Sequence, residues 1–254
     1  MEYRTLKLRL ERPIARITLS RPEISNRFDD RGLREIALAC QEIDASDAIS
    51  VTFVTAEGAD FCTGWEDSQG EGSRPESTLS PDPFGPLAGL PCPVVVAIQG
   101  ACVSAGLELA LACDVRIAAD NARFALPEVA QGALPRAGGS QRLPRLLGRS
   151  IATSMLLLGE ELDAEAAYRA GLVSRVFPAT DLARETDAIV ARIAAQGPLA
   201  LRYAKEAVLQ GGQLPLDQAL RYELDLSVIL QTTRDRAEGV QAFLEKRPPN
   251  FEGH

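Results

Sequence analysis

The chain has 254 residues, 46% of them hydrophobic and 24% charged, with a formal net charge of -8, which fits one large domain or one domain with a small appendage. The acidic balance argues against a nucleic-acid scaffold, which needs a basic face, but leaves room for an anionic small ligand met by a few local Arg or Lys residues. The single histidine is the last residue, His254, so histidine-based triads and histidine-built metal sites are not expected, and acid–base work falls to carboxylates, Tyr, Lys and Cys.

The N-terminal Met1-Glu2-Tyr3-Arg4-Thr5 is polar and lacks an apolar signal core. Residues 5–10 and 14–19 are β-prone runs separated by Glu11-Arg12-Pro13, the pattern of a hairpin. Asp29-Asp30 precede a periodic stretch to residue 45, with Leu33, Ile36, Ala37 and Cys40 on one face, which predicts a capped amphipathic helix. Residues 51–55 read as a strand. Residues 66–89, rich in Pro, Gly, Ser and acids, read as a long loop, either functional or disordered. Residues 94–98 form a continuous apolar run, as in a strand buried on both faces. Gly100 ends it, residues 104–112 read as a helix, and 115–119 return as a strand. This rhythm predicts an α/β core with right-handed crossovers.

From residue 140 the chain turns mostly helical, with candidates at 140–147, 150–158, 164–170, 182–195, 199–210, 215–231 and 234–245, interrupted by a strand within 171–176. No run approaches the roughly 18 apolar residues that span a bilayer. The five cysteines, Cys40, Cys62, Cys92, Cys102 and Cys113, lack zinc-site spacing, and their odd number suits reduced, mostly buried thiols. A cytoplasmic protein with no nucleic-acid or membrane partner is therefore expected.

Two glutamates carry the chemistry. Glu108 lies in Ile98-Gln99-Gly100-Ala101-Cys102-Val103-Ser104-Ala105-Gly106-Leu107-Glu108, a small-residue turn opening an apolar helix, which can offer backbone N–H groups to a developing oxyanion. Glu128 ends Phe124-Ala125-Leu126-Pro127-Glu128 and is followed by Leu134-Pro135-Arg136-Ala137-Gly138-Gly139-Ser140. Two carboxyls in one pocket can divide acid and base work if their environments separate their pKa values. Other readings stand beside this one. Glu108 could be a buried ion-pair partner, Glu128 a first-turn residue favouring a helix dipole, and Trp65 core filling. Asp114 reads as a turn or cap residue.

These frames, with Arg21-Pro22-Glu23 and Asn26, Phe61-Cys62-Thr63-Gly64, Leu158-Gly159-Glu160, residues 166–173 and Ala242-Phe243-Leu244-Glu245-Lys246-Arg247, resemble the crotonase superfamily of enoyl-CoA hydratases and isomerases, nearly end to end. The resemblance implies an α/β crotonase-type spiral of ββα units over residues 1–192. A helical C-terminal region, 193–254, would drive assembly into a homotrimer or a dimer of trimers. It implies an acyl-CoA thioester substrate, with no metal or other cofactor beyond the CoA that the substrate carries. Backbone N–H groups of Trp65 and Ala105 would form the oxyanion hole. Glu108 and Glu128 would hold the water, one deprotonating it for attack at C3 and the other, Glu128, protonating C2.

CoA and substrate contacts would come from Ile24, Arg27, Thr63, Glu66, Asp67, Ser68 and Arg136. The reaction implied is hydration of a 2-enoyl-CoA. The alternatives are an enoyl-CoA isomerase, a dehydratase of a polar acyl-CoA, or a catalytically weak acyl-CoA-binding protein. Several positions depart from the family pattern. Trp65-Glu66-Asp67 replaces a small residue, Asp and an aliphatic. Ala105-Gly106 replaces Gly-Gly, and is tolerable if Ala105 avoids positive φ. Arg27 replaces a small residue near the CoA path, where it could meet a phosphate. Arg136 stands at a position often glycine, where it could bind a substrate carboxylate or point to solvent.

Overall fold

The computed structural model describes residues 3–66 and 80–254. Strands β1 (Leu6–Glu11) and β2 (Ile14–Leu19) form the expected antiparallel hairpin. Helix α1 (Asp30–Asp44) begins where Asp29 accepts the Gly32 N–H at 2.7 Å, the side-chain cap that satisfies an otherwise unpaired first-turn donor. Strands β3 (Val51–Ala56), β4 (Val94–Ile98), β6 (Val115–Ala119) and β9 (Arg175–Phe177) extend β2 in parallel, giving a six-stranded sheet ordered β1-β2-β3-β4-β6-β9.

The sheet is covered on both faces. Val94, Val96 and Ile98 of β4 join the main core with α1, while Val95 and Ala97 pack with Val51, Phe53, Ile117 and Ala119 under Leu182 and Val190 of α7 (Leu182–Ala194). Two covered faces explain why β4 is apolar at every position rather than alternately.

A second sheet holds β5 (Ala101–Val103), β7 (Arg123–Ala125) and β8 (Leu162–Asp163). The sequence pattern missed these strands, because two or three residues are too short to show a period. Gly100, at φ +57°, turns the chain from β4 into β5; a Cβ there would lie 2.2 Å from the Ala59 carbonyl oxygen. Helix α2 (Gly85–Ala88) was also unforeseen, inside the stretch read as a loop. The rest of that loop, 67–79, lies outside the described residues.

Helix α3 (Ala105–Ala112) is wholly buried, and α4 (Gly139–Leu147), α5 (Arg149–Leu158) and α6 (Ala164–Ala170) follow. The chain closes with α8 (Pro198–Gly211), α9 (Leu216–Gln231) and α10 (Arg234–Glu245). The helices read from sequence agree with these to within a residue or so at each end. Asp114 is structural, as read: its Oδ2 accepts the Val94 N–H at 2.7 Å and pairs with Lys205 of α8 at 2.8 Å. The outer faces of α9 and α10 expose large apolar side chains, Leu216 by 75% and Phe243 by 82%.

Candidate active site

Close backbone approaches build the site. The Cys62 N–H donates to the Ala101 carbonyl and the Val103 N–H to the Cys62 carbonyl, so the segment before Gly64 runs beside β5. Gly106 permits α3 to begin against that segment, since a Cβ on it would lie 2.4 Å from the Cys62 carbonyl oxygen. On the other side, the Phe28 N–H donates to the Gly64 carbonyl at 2.8 Å and the Glu66 N–H to the Phe28 carbonyl at 2.7 Å. In extended backbone, neighbouring residues present their polar groups to opposite sides. Trp65 therefore turns its N–H away from Phe28. Among the described residues, neither the Trp65 N–H nor the Ala105 N–H, the first of α3, donates to another group of the chain.

The sharp turn into α3 falls on Ser104, at φ 53° and ψ -121°, and Ala105 is not among the residues of positive φ. The condition set for an alanine at this position is met, and the strain moves one residue upstream. The Ser104 N–H donates to the Ala125 carbonyl of β7 at 3.0 Å, which helps hold that turn.

Glu108 is the only charged residue of α3 and is 0% exposed. Among the described residues it has no ion-pair partner. Its Oε1 accepts the Ala137 N–H at 2.7 Å and the Gly139 N–H at 2.9 Å, at the N-terminus of α4, where the helix dipole also favours negative charge. Gly139 makes room: a Cβ there would sit 3.1 Å from Oε1. Burial, reinforced by the neighbouring charge of Glu128, nevertheless pushes the Glu108 carboxyl up to about 7, against the backbone donors and Arg136. Sequence reasoning quoted Ala137 and Gly139 but gave them no role; the Gly138-Gly139 pair was the available signal.

Glu128 opens a 3-10 turn, Glu128–Gln131, and is 7% exposed. Both its carboxylate oxygens and Glu108 Oε2 are buried without a hydrogen-bond partner among the described residues. Such orphans are costly unless something binds them. A cavity of about 400 Å³ lies beside Glu128, walled by Glu128, Thr63, Trp65, Ser104, Arg27 and Arg136 with their neighbours; Glu108 and Ala105 lie behind this lining rather than in it. Pro127, Gln131, Ala133 and Leu134 also line it; the sequence reading gave none of them a site role.

Arg136 is exposed at its solvent side, but its guanidinium lies over the Trp65 ring, 4.0 Å from the centroid. Trp65 in turn stacks on Phe84 at 6.4 Å and packs partly on the core. Ile24 and Glu66 are not among the lining residues: the Ile24 carbonyl accepts from the Arg27 backbone, and Glu66 pairs with Arg21 at 3.0 Å. Asp67 and Ser68 lie outside the described residues. The thiol of Cys62, beside the site, is buried and pushed up to about 12, a poor nucleophile. Among the described residues no cluster of three His, Cys, Asp or Glu could hold a metal ion, and no helix is long and apolar enough to cross a membrane.

Residues 9–254 match the model of the enoyl-CoA hydratase/isomerase family. The chain belongs to that family. This enoyl-CoA hydratase/isomerase family member is 37% identical to a probable enoyl-CoA hydratase of Mycobacterium tuberculosis, over 99% of each chain. It is also 37% identical to 2,3-dehydroadipyl-CoA hydratase of Escherichia coli, over 93% of this chain and 94% of that one. A solved enoyl-CoA hydratase from Bacillus anthracis superposes with a TM-score of 0.93 at 33% identity, covering 99% of this chain and 100% of the other. The crotonase-type α/β fold implied by the sequence is the one these neighbours share.

Proposed function

We propose that this family member is an enoyl-CoA hydratase that adds water across the 2,3 double bond of a 2-enoyl-CoA. The observation that carries this reading is the convergence of two buried carboxylates, Glu108 and Glu128, with three unpartnered oxygens between them. A reaction that needs only one proton-transfer group gives no reason to bury two. The names of the relatives point the same way.

In this reading the thioester oxygen sits between the N–H groups of Trp65 and Ala105, and the start of α3 adds its dipole. Glu108, whose ionised form accepts the Ala137 and Gly139 N–H groups at Oε1, keeps Oε2 for the water and takes its proton as the oxygen attacks C3. Charge gathers on the thioester oxygen as an enolate. Glu128 then gives a proton to C2, and the carbonyl reforms. The pair thus holds one proton at the start and one at the end, and exchange with solvent after product release returns it to Glu128. Water gives its hydroxyl to C3 and its proton to Glu108 while the proton of Glu128 goes to C2, so one water is consumed per cycle and the step is balanced without an oxidant or reductant. Arg27 and Thr63, with Ile24 and Glu66 flanking, would meet the CoA portion, and CoA would enter only as part of the substrate.

We further propose assembly as a homotrimer or dimer of trimers through the C-terminal helices, in the cytoplasm. The apolar side chains exposed on α9 and α10 support the assembly.

The test follows loss of the conjugated enoyl-thioester absorbance with a panel of 2-enoyl-CoAs. Glu108→Gln and Glu128→Gln should each lower kcat by about 10²–10⁴-fold, the usual contribution of a positioned acid or base, while binding of saturated acyl-CoAs changes little. Binding without absorbance loss in the unmodified protein would move the reaction to double-bond isomerisation or to non-catalytic CoA-ester binding.

A further inference from the structure

Arg136 moves no proton in the hydration proposed above, yet it is placed with care. Its guanidinium covers one face of the Trp65 ring at 4.0 Å, and the ring is steadied by Phe84, which is fully buried. A cation stacked on an aromatic face in this way is fixed in orientation while the donor fork at its edge stays free. The backbone is fixed too. Arg136 lies between buried Pro135 and Ala137, and the Ala137 N–H is bound to Glu108 Oε1. The Arg136 backbone thus adjoins the segment that holds Glu108, whereas Arg27 and Thr63 come from the separate segments before and after α1.

Among the described residues its charge is unspent. Arg21 pairs with Asp29 and Glu66, and Arg142 with Asp82. Arg136, by contrast, has no carboxylate within ion-pair distance among the described residues, although it lines the same cavity as Glu128. Glu128 does not serve as its partner, since both oxygens of Glu128 lack one. The Trp65 indole N–H is likewise buried without an acceptor. A purely aliphatic acyl chain would cover these donors and satisfy none of them, at a cost in binding.

We infer that the acyl group carries a second, anionic end: the substrate is the CoA half-thioester of an unsaturated dicarboxylic acid, and Arg136 is the specificity-determining residue that receives the free carboxylate through its bidentate fork. This rests on the hydratase reading above for the placement of the reacting carbons. A planar guanidinium matches a carboxylate in two parallel hydrogen bonds, geometry that a lysine cannot reproduce.

The test pairs each 2-enedioyl-CoA of four to eight carbons with the 2-enoyl-CoA of equal length, and compares kcat/KM for the unmodified protein, Arg136→Gln and Arg136→Lys. At one length or more the unmodified protein should favour the dicarboxylic member by about tenfold or more, the discrimination expected of a charge-assisted bidentate pair. Arg136→Gln should abolish that ratio, chiefly through KM, and Arg136→Lys should restore part of it. The ratio cancels any general effect of the substitution on folding or on the shared chemistry. A ratio near one at every length in the unmodified protein, or a ratio unchanged in Arg136→Gln, overturns the inference. Equal losses for both substrates and for free CoA would instead make Arg136 a CoA phosphate contact. If no enoyl-CoA turns over, the hydratase reading fails separately. Dissociation constants of adipyl-CoA against hexanoyl-CoA, and of the corresponding saturated pairs, then decide the same question without turnover.

Discussion

Glu108 shows how one side chain can be both anchored and poised. Two backbone donors and a helix N-terminus favour its charge, while complete burial and Glu128 oppose it, and the opposition prevails, with a value near 7. If Glu108 is the base, kcat/KM for hydration should fall as the pH drops through about 7; a profile flat from 5 to 8 would give the base role to another group. The same shift acts on stability. The folded chain holds this proton more tightly than the unfolded chain, so the contribution is full below the ordinary 4.5 and is lost as the pH rises through about 7, by about 3 kcal/mol at about 1.4 kcal/mol per pH unit. Urea denaturation at pH 5 and pH 8 should show that loss, and Glu108→Gln should flatten it. Both glutamates were legible in the sequence because each sits in a short, ordered frame. The donors on Glu108 were not, because Ala137 and Gly139 act through backbone N–H groups that any residue type carries.

At the level of elements, sequence legibility followed length. Helices α1, α7, α9 and α10, with twelve or more residues each, repeat their apolar positions often enough to be read, and β4 announces its two covered faces by an unbroken apolar run. Strands β5, β7 and β8 are too short for any period, although β5 leads directly into the Ser104 turn that opens α3. What the sequence did mark there was small residues, and the structure supplies the reason. The start of α3 reaches its place only because Gly106 lets helix and strand backbones touch. Gly106→Ala should therefore cost about 1–3 kcal/mol of stability, the usual penalty for overpacking a close contact. It should also lower kcat by about 10²-fold by displacing the Ala105 N–H. Equilibrium unfolding with parallel turnover assays checks both; full activity in a stably folded variant would show that the turn tolerates a shift.

Across the whole molecule, the last helices are tied back to the main sheet. Lys205 of α8, almost fully covered, reaches back to Asp114 and to the Cys92 carbonyl at 3.1 Å, tying the last helices to the edge of β4. Beyond that tie, α9 and α10 present Leu216, Leu224, Phe243 and Leu244 to the exterior. If these faces meet in a trimer, replacing Phe243 and Leu244 together by Glu should shift sedimentation from the assembled species to a monomer. An unchanged sedimentation coefficient would place the subunit contacts elsewhere. The sequence could mark these helices as amphipathic but could not say what faces them, because a residue's neighbours in another chain leave no local period.

The five thiols lie in five different places of the fold: in α1, beside Gly64, before β4, within β5 and just after α3, all buried. Burial raises each of them above its ordinary value, which suppresses the reactive thiolate. An alkylating reagent therefore finds no ready target on the closed chain and must wait for an opening. Each cysteine becomes a clock set into its own element, and the order in which they react reads out the sequence in which the molecule breathes.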